Sequence, residues 1–123
     1  MRFFATLLVL AWPIALAAQA PAPLTCPATL AAHEFERINI YNGKPGGEEY
    51  DLAPDDQKEA GRKVTQMWFL KDYRTMPIFV RCRYHGTTAV TTLDVPAKYQ
   101  KCTLTFEMDS KNAIVGKSEF SCK

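Results

Sequence analysis

Cysteines stand at positions 26, 82, 102 and 122, and the last three fall in phase with apolar residues in alternating runs. In PIFVRCRY (77–84), Ile78, Val80, Cys82 and Tyr84 share one face, while Phe79, Arg81 and Arg83 share the other. KCTLTFEM (101–108) aligns Cys102, Leu104, Phe106 and Met108, and AIVGKSEFSC (113–122) brings Phe120 and Cys122 into one phase. Such a chain is restricted to β-structure with its cysteines on apolar faces.

Whether those thiols close depends on where the chain goes. It opens MRFFATLLVLAWPIALAAQAPAPLTC, in which Arg2 precedes an apolar run from Phe3 to Ala17. That run has the length of a signal-peptide core and is short for a membrane span. Ala15-Leu16-Ala17 gives a small-x-small cleavage pattern, whereas Ala18-Gln19-Ala20 is followed by an unfavourable Pro21. The expectation is a signal peptide over 1–17, a loose Ala- and Pro-rich arm over 18–27, and one β domain over 28–123. A lipid-anchored protein would carry a leucine three residues before the cysteine and a small residue directly before it. Cys26 follows Pro23, Leu24 and Thr25, so no stable membrane anchor is expected.

An even number of cysteines in a small exported chain reads as two disulfides. Four cysteines allow three pairings. Cys82 and Cys102 face inward from runs that read as neighbouring strands, which favours Cys82–Cys102 and leaves Cys26–Cys122 to pin the arm to the last strand.

The remaining segments fit this frame. FERINI (35–40) places Ile38 and Ile40 together before the turn-rich NGKPGG (42–47), and VTQMWFL (64–70) places Val64, Trp68 and Leu70 on one side. His85-Gly86-Thr87 turns the 77–84 run into TAVTTLDV, predicting a hairpin over 77–95 that Pro96 ends. PDDQKEAGRK (54–63), with Asp55 and Asp56 at its start, predicts one helical turn or a short helix. The predicted fold is mostly β: a small antiparallel meander or sandwich of about five to seven strands, stapled by two disulfides.

Composition and motifs narrow the function. Fifteen Lys and Arg, fourteen once Arg2 is removed, face thirteen Asp and Glu, far from the basic excess of a nucleic-acid binder. Cys82 and His85 are close in sequence, but an inward cysteine and a turn histidine point apart, which disfavours a Cys/His nucleophile. His33 and His85 are the only histidines and no short metal-ligand spacing occurs, so neither metal nor cofactor is expected. Ser110, Ser118 and Ser121 lack a Gly-x-Ser-x-Gly context, and the adjacent pairs Glu48-Glu49 and Asp55-Asp56 do not suggest carboxylates converging on a glycoside. No catalytic residue is expected.

What remains is a protein that presents a surface. LKDYRTMP (70–77) offers Lys71, Asp72, Tyr73 and Arg74. The second candidate is the outer face and end of the hairpin, Arg81, Arg83 and His85. Tyr and Arg are the types enriched at interface hot spots.

The pattern Tyr50-Asp51-Leu52-x-Pro54, Trp68, Phe79-Val80-x-Cys82-x-Tyr84-x-Gly86-Thr87, Val95-Pro96 and Cys102 resembles a family of small proteobacterial periplasmic proteins associated with type VI secretion effectors. The resemblance covers residues 50–102. It implies an immunity protein in the periplasm that binds and occludes a cognate cell-wall-degrading or cell-wall-modifying enzyme: an amidase, muramidase or L,D-transpeptidase-like toxin. The Phe79-Val80-Arg81-Cys82 strand, its glycine turn and the Thr/Val-rich strand after it are also similar to periplasmic C-type lysozyme inhibitors. That family's Ser- and Lys-bearing inhibitory loop has no counterpart here, so none of its inhibitory positions carries over. The rival reading is a non-catalytic envelope-binding module for glycan or a surface protein, with Trp68 as the stacking candidate, although its phase places Trp68 in the core.

Overall fold

Alternation in the sequence becomes two antiparallel sheets facing each other in a computed structural model that describes residues 9–14 and 22–123. Most of the expected signal segment, its cleavage point and the first residues of the arm lie outside the described residues. The strands are β1 (Thr29–Leu30), β2 (His33–Gly43), β3 (Glu49–Asp51), β4 (Asp56–Ala60), β5 (Lys63–Phe69), β6 (Ile78–Tyr84), β7 (Val90–Asp94), β8 (Lys101–Met108) and β9 (Ile114–Cys122). Sheet one runs β1-β2-β6-β7, with β3 pairing the end of β2; sheet two runs β4-β5-β8-β9. The count exceeds the predicted range because β1, β3 and β4 are short or fully exposed strands with no apolar alternation to betray them.

The core forms where the inward phases of the two sheets meet. Ile38, Ile40, Ile78, Val80 and Tyr84 of sheet one join Val64, Trp68, Leu104, Phe106 and Phe120 of sheet two in a single buried cluster. Full burial of a side chain such as Ile40 or Leu104 stabilises by about 1.5–3 kcal/mol. A bulge between Phe35 and Arg37 resets the phase of β2, so Phe35, Ile38 and Ile40 all reach this core.

Residues 54–63 correct one expectation. They form no helix: β4 pairs with β5 from Asp56↔Met67 to Ala60↔Lys63, and Gly61, at φ 62°, opens the two-residue turn between them. A strand exposed along its whole length, as β4 is, carries no apolar face by which its period could be read. Its Asp, Lys and Glu side chains suit a sheet edge that must not pair with another chain. Among the described residues the one short helix lies further on, a 3-10 helix over Leu70–Tyr73.

The disulfides also differ from the expected Cys82–Cys102 and Cys26–Cys122. They are Cys26–Cys82 and Cys102–Cys122. Cys82 and Cys102 do share one core, but from opposite sheets, because β8 is flanked by β5 and β9 rather than by β6. Cys102 lies directly opposite Cys122 on β9, with their Cα atoms 4.0 Å apart. The arm is nevertheless fixed to the last strand: Leu24 exchanges both backbone hydrogen bonds with Cys122, at 3.0 and 2.9 Å. Two residues later Cys26 is bonded to Cys82. The arm thus ties sheet two to sheet one.

Candidate partner-binding surface

The outward residues of β6 meet those of β2 in register, Phe79 against Tyr41, Arg81 against Asn39 and Arg83 against Arg37. Tyr41 stacks on Phe79 with ring centroids 5.0 Å apart, and the Arg81 guanidinium lies 5.0 Å from the Tyr41 centroid and 5.3 Å from that of Phe79. Phe79 is therefore only 1% exposed although it points away from the core. The face that Phe79, Arg81 and Arg83 share is a covered aromatic stack with arginine on it.

Glu49 on β3 completes it. Its carboxylate takes two hydrogen bonds from Arg81, one of them at 2.8 Å from Nη1 to Oε2, and a third from the Gly46 amide at 2.8 Å. Arg81 and then the Gly46 amide hold the Glu49 carboxyl below the usual carboxylate range, while Glu49 pushes the Arg81 guanidinium further up. Arg83 donates from Nε to Asn39 Oδ1 and reaches the Tyr41 hydroxyl at 3.4 Å. Sequence reading selected Arg81 and Arg83 but passed over Tyr41 and Glu49. The signal for Tyr41 was its phase, two residues beyond Asn39; nothing in the sequence joins Glu49 to an arginine 32 residues away.

His85 stands at the end of β6, its Nδ1 2.9 Å from Glu36 Oε2, and His33 Nδ1 donates to the His85 carbonyl at 2.6 Å. Cys82 is disulfide-bonded, so no thiol accompanies this histidine.

Lys71, Asp72, Tyr73 and Arg74 lie at the opposite end of β6, in and just after the 3-10 helix. The seven residues of β6 put about 20 Å of strand between them and His85, so the expected residues form two surfaces. Tyr73 donates its hydroxyl to Asp55 Oδ1 at 3.0 Å, and that bond, with burial, raises its phenol above the ordinary tyrosine range. Arg74 donates to the carbonyls of Val95 at 2.9 Å, Pro96 at 3.0 Å and Tyr99. Partial burial lowers its pKa, and its guanidinium is committed to holding the β7–β8 connection. Lys71 and Asp72 are exposed.

Trp68, 3% exposed, donates its indole N–H to the Leu52 carbonyl at 2.9 Å and belongs to the core, as its phase predicted. Among the described residues no three His, Cys, Asp or Glu side chains gather as a metal site, and no helix is long and apolar enough to cross a membrane.

Two antiparallel sheets packed on one core and stapled by two disulfides make this a small β-sandwich. The sequence matches the model of the type VI secretion system Tli immunity protein family over residues 28–123, and the chain belongs to that family. It is also 30% identical over 76 residues to an uncharacterized 16.3 kDa protein in the trpG 5'region of Azospirillum brasilense. That alignment covers 58% of this chain and 51% of the relative, so the chain matches about half of that relative's length. No solved structure matches it significantly.

Proposed function

We propose that this protein is exported to the periplasm, binds its cognate type VI effector and neutralises it by covering the effector's working cleft, without catalysis of its own. The role as a type VI immunity protein comes with the family. The observation that carries the binding surface is the Arg81 guanidinium, fixed by Glu49 and laid over Tyr41 and Phe79 on the outer face of sheet one. An arginine already held in one rotamer loses little freedom on binding and can act as a preorganised anchor. Arg83 and His85 extend this surface, and Lys71, Asp72, Tyr73 and Arg74 flank it at the far end. Both disulfides support the reading, since a stapled scaffold keeps its surface in the bound shape and suits an oxidising compartment.

The cell-wall nature of the effector's substrate rests on the sequence resemblance. Release of soluble muropeptides by the effector, suppressed when this protein is added, is its test. An effector that attacks another envelope component, with equal suppression, corrects the substrate and leaves occlusion standing.

Survival of cells that carry the effector in the periplasm tests the surface. The full chain rescues growth, and Arg81→Glu combined with Arg83→Glu abolishes rescue while the protein accumulates and melts cooperatively. Undiminished rescue by that variant would place the contact elsewhere.

A further inference from the structure

Sheet two ends in an unusual row. Phe69, the last residue of β5, is 45% exposed and pairs with Lys101 on β8; Lys101 in turn exchanges backbone hydrogen bonds with Lys123, at 3.0 and 2.8 Å. The 3-10 helix begins at the next residue, where the Leu70 amide bonds to the Gln100 carbonyl at 2.9 Å. Between these segments lies an open cavity of about 800 Å³, walled by Phe69, Lys71, Arg74, Tyr99, Gln100 and Lys101 among others.

Its charge is one-sided. Three cations line it and no carboxylate does. Arg74 is held by backbone carbonyls, but among the described residues neither Lys71 nor Lys101 makes an ion pair. Lys98 adds a fourth cation beside the wall, its Nζ 5.2 Å from the Tyr99 ring centroid. Asp55, which is bonded to Phe69, is occupied: one oxygen takes the Phe69 amide at 2.7 Å and the other the Tyr73 hydroxyl. Asp72 lies on the helix outside the wall. An exposed aromatic ringed by unpaired ammonium groups is poorly matched to water and well matched to a chain that brings carboxylates and an apolar side chain together.

We propose that this cavity receives an acidic segment of the effector, its carboxylates on Lys71 and Lys101 and an apolar side chain on Phe69, as a second contact besides the arginine face of sheet one. The proposal rests on the immunity reading for the identity of its occupant. A small inorganic anion would leave Phe69 in water and most of the volume empty. A nucleic acid would need a wider basic surface than a chain of formal net charge +2 provides.

The test uses the purified cognate effector and the full oxidised protein. Carbodiimide coupling, which joins a carboxyl to an amine only in direct contact, should link Lys71 or Lys101 to an Asp or Glu of the effector. Lys71→Glu with Lys101→Glu should weaken binding by about 100-fold, through lost pairing and new like-charge repulsion, and flatten its salt dependence. Lys71→Gln with Lys101→Gln should lose less, with the melting temperature unchanged because both side chains are exposed. Full affinity in the charge-reversed variant, or crosslinks confined to other lysines, overturns the cavity proposal while immunity stands. If the unmodified protein fails to bind the effector at all, the immunity reading falls and the occupant falls with it.

Discussion

Arg81 on β6 is paired with Glu49 on β3 across the intervening strand β2. The two side chains join three strands over the Tyr41–Phe79 stack, so the pair both closes the outer face of sheet one and presents it. Glu49 reaches this position because Gly43 and the 44–48 turn fold β3 back onto β2.

Acid should weaken this arrangement in a defined direction. The Glu49 carboxyl is held below its ordinary range by the Arg81 hydrogen bonds. Its stabilisation is therefore complete above the ordinary glutamate pKa and is lost as pH falls through the lower folded value. Melting temperatures measured from neutral pH into acid should show Glu49→Gln less stable than the parent at neutral pH, with the two curves converging at the acid end. Parallel curves would mean that Glu49 titrates as a free carboxylate.

Gly43 should resist substitution. It sits at φ 115°, and a Cβ there would overlap the Glu48 carbonyl oxygen. Gly43→Ala should cost about 3 kcal/mol in denaturant unfolding, through backbone strain and release of the β2–β3 turn. Gly61→Ala is the contrast: φ is again positive but nothing lies within 4 Å of the added carbon, so about 1 kcal/mol is expected.

Arg74 should behave as a structural clasp. Three backbone carbonyls accept from its guanidinium, and Arg74→Ala removes that donor from Val95 and Tyr99, while the Pro96 carbonyl keeps the Tyr99 amide at 3.1 Å. Equilibrium unfolding should register a loss of about 2 kcal/mol, and Arg74→Lys should recover only part of it, since an ammonium cannot reproduce the planar fork. Parent-like stability in the alanine variant would leave Arg74 available as an interface residue only.

Proteolytic peptide mapping without reduction should recover Cys26 joined to Cys82 and Cys102 joined to Cys122. In the chain-entropy model, the longer loop of sequence separation 56 contributes about 4 kcal/mol and the shorter, of separation 20, about 3 kcal/mol. Cys26→Ser with Cys82→Ser should therefore destabilise more than the other pair, and it also frees the arm that ties the two sheets.

The sequence carried the parts of the fold that a buried period marks. Ile78, Val80, Cys82 and Tyr84 are buried in alternation, as are Cys102, Leu104 and Phe106, and the 77–95 hairpin forms with Gly86 at φ 71°. β4 was missed because an edge strand exposed on all sides has no period to detect. The cysteine pairing was missed because phase tells which face a residue occupies but not which sheet it belongs to, and strand order separates Cys82 from Cys102. Of the surface, Arg81 and Arg83 were legible from alternation. Their partners were not: Glu49 lies on another strand, and the carbonyls that engage Arg74 become neighbours only through tertiary packing.

The most direct measurement is titration of the purified cognate effector, assayed on envelope material, with the full oxidised protein. Activity should fall linearly to zero at one equivalent, and the Arg81→Glu, Arg83→Glu variant should leave it intact at the same concentration. Full effector activity in the presence of excess native protein would contradict occlusion by direct binding.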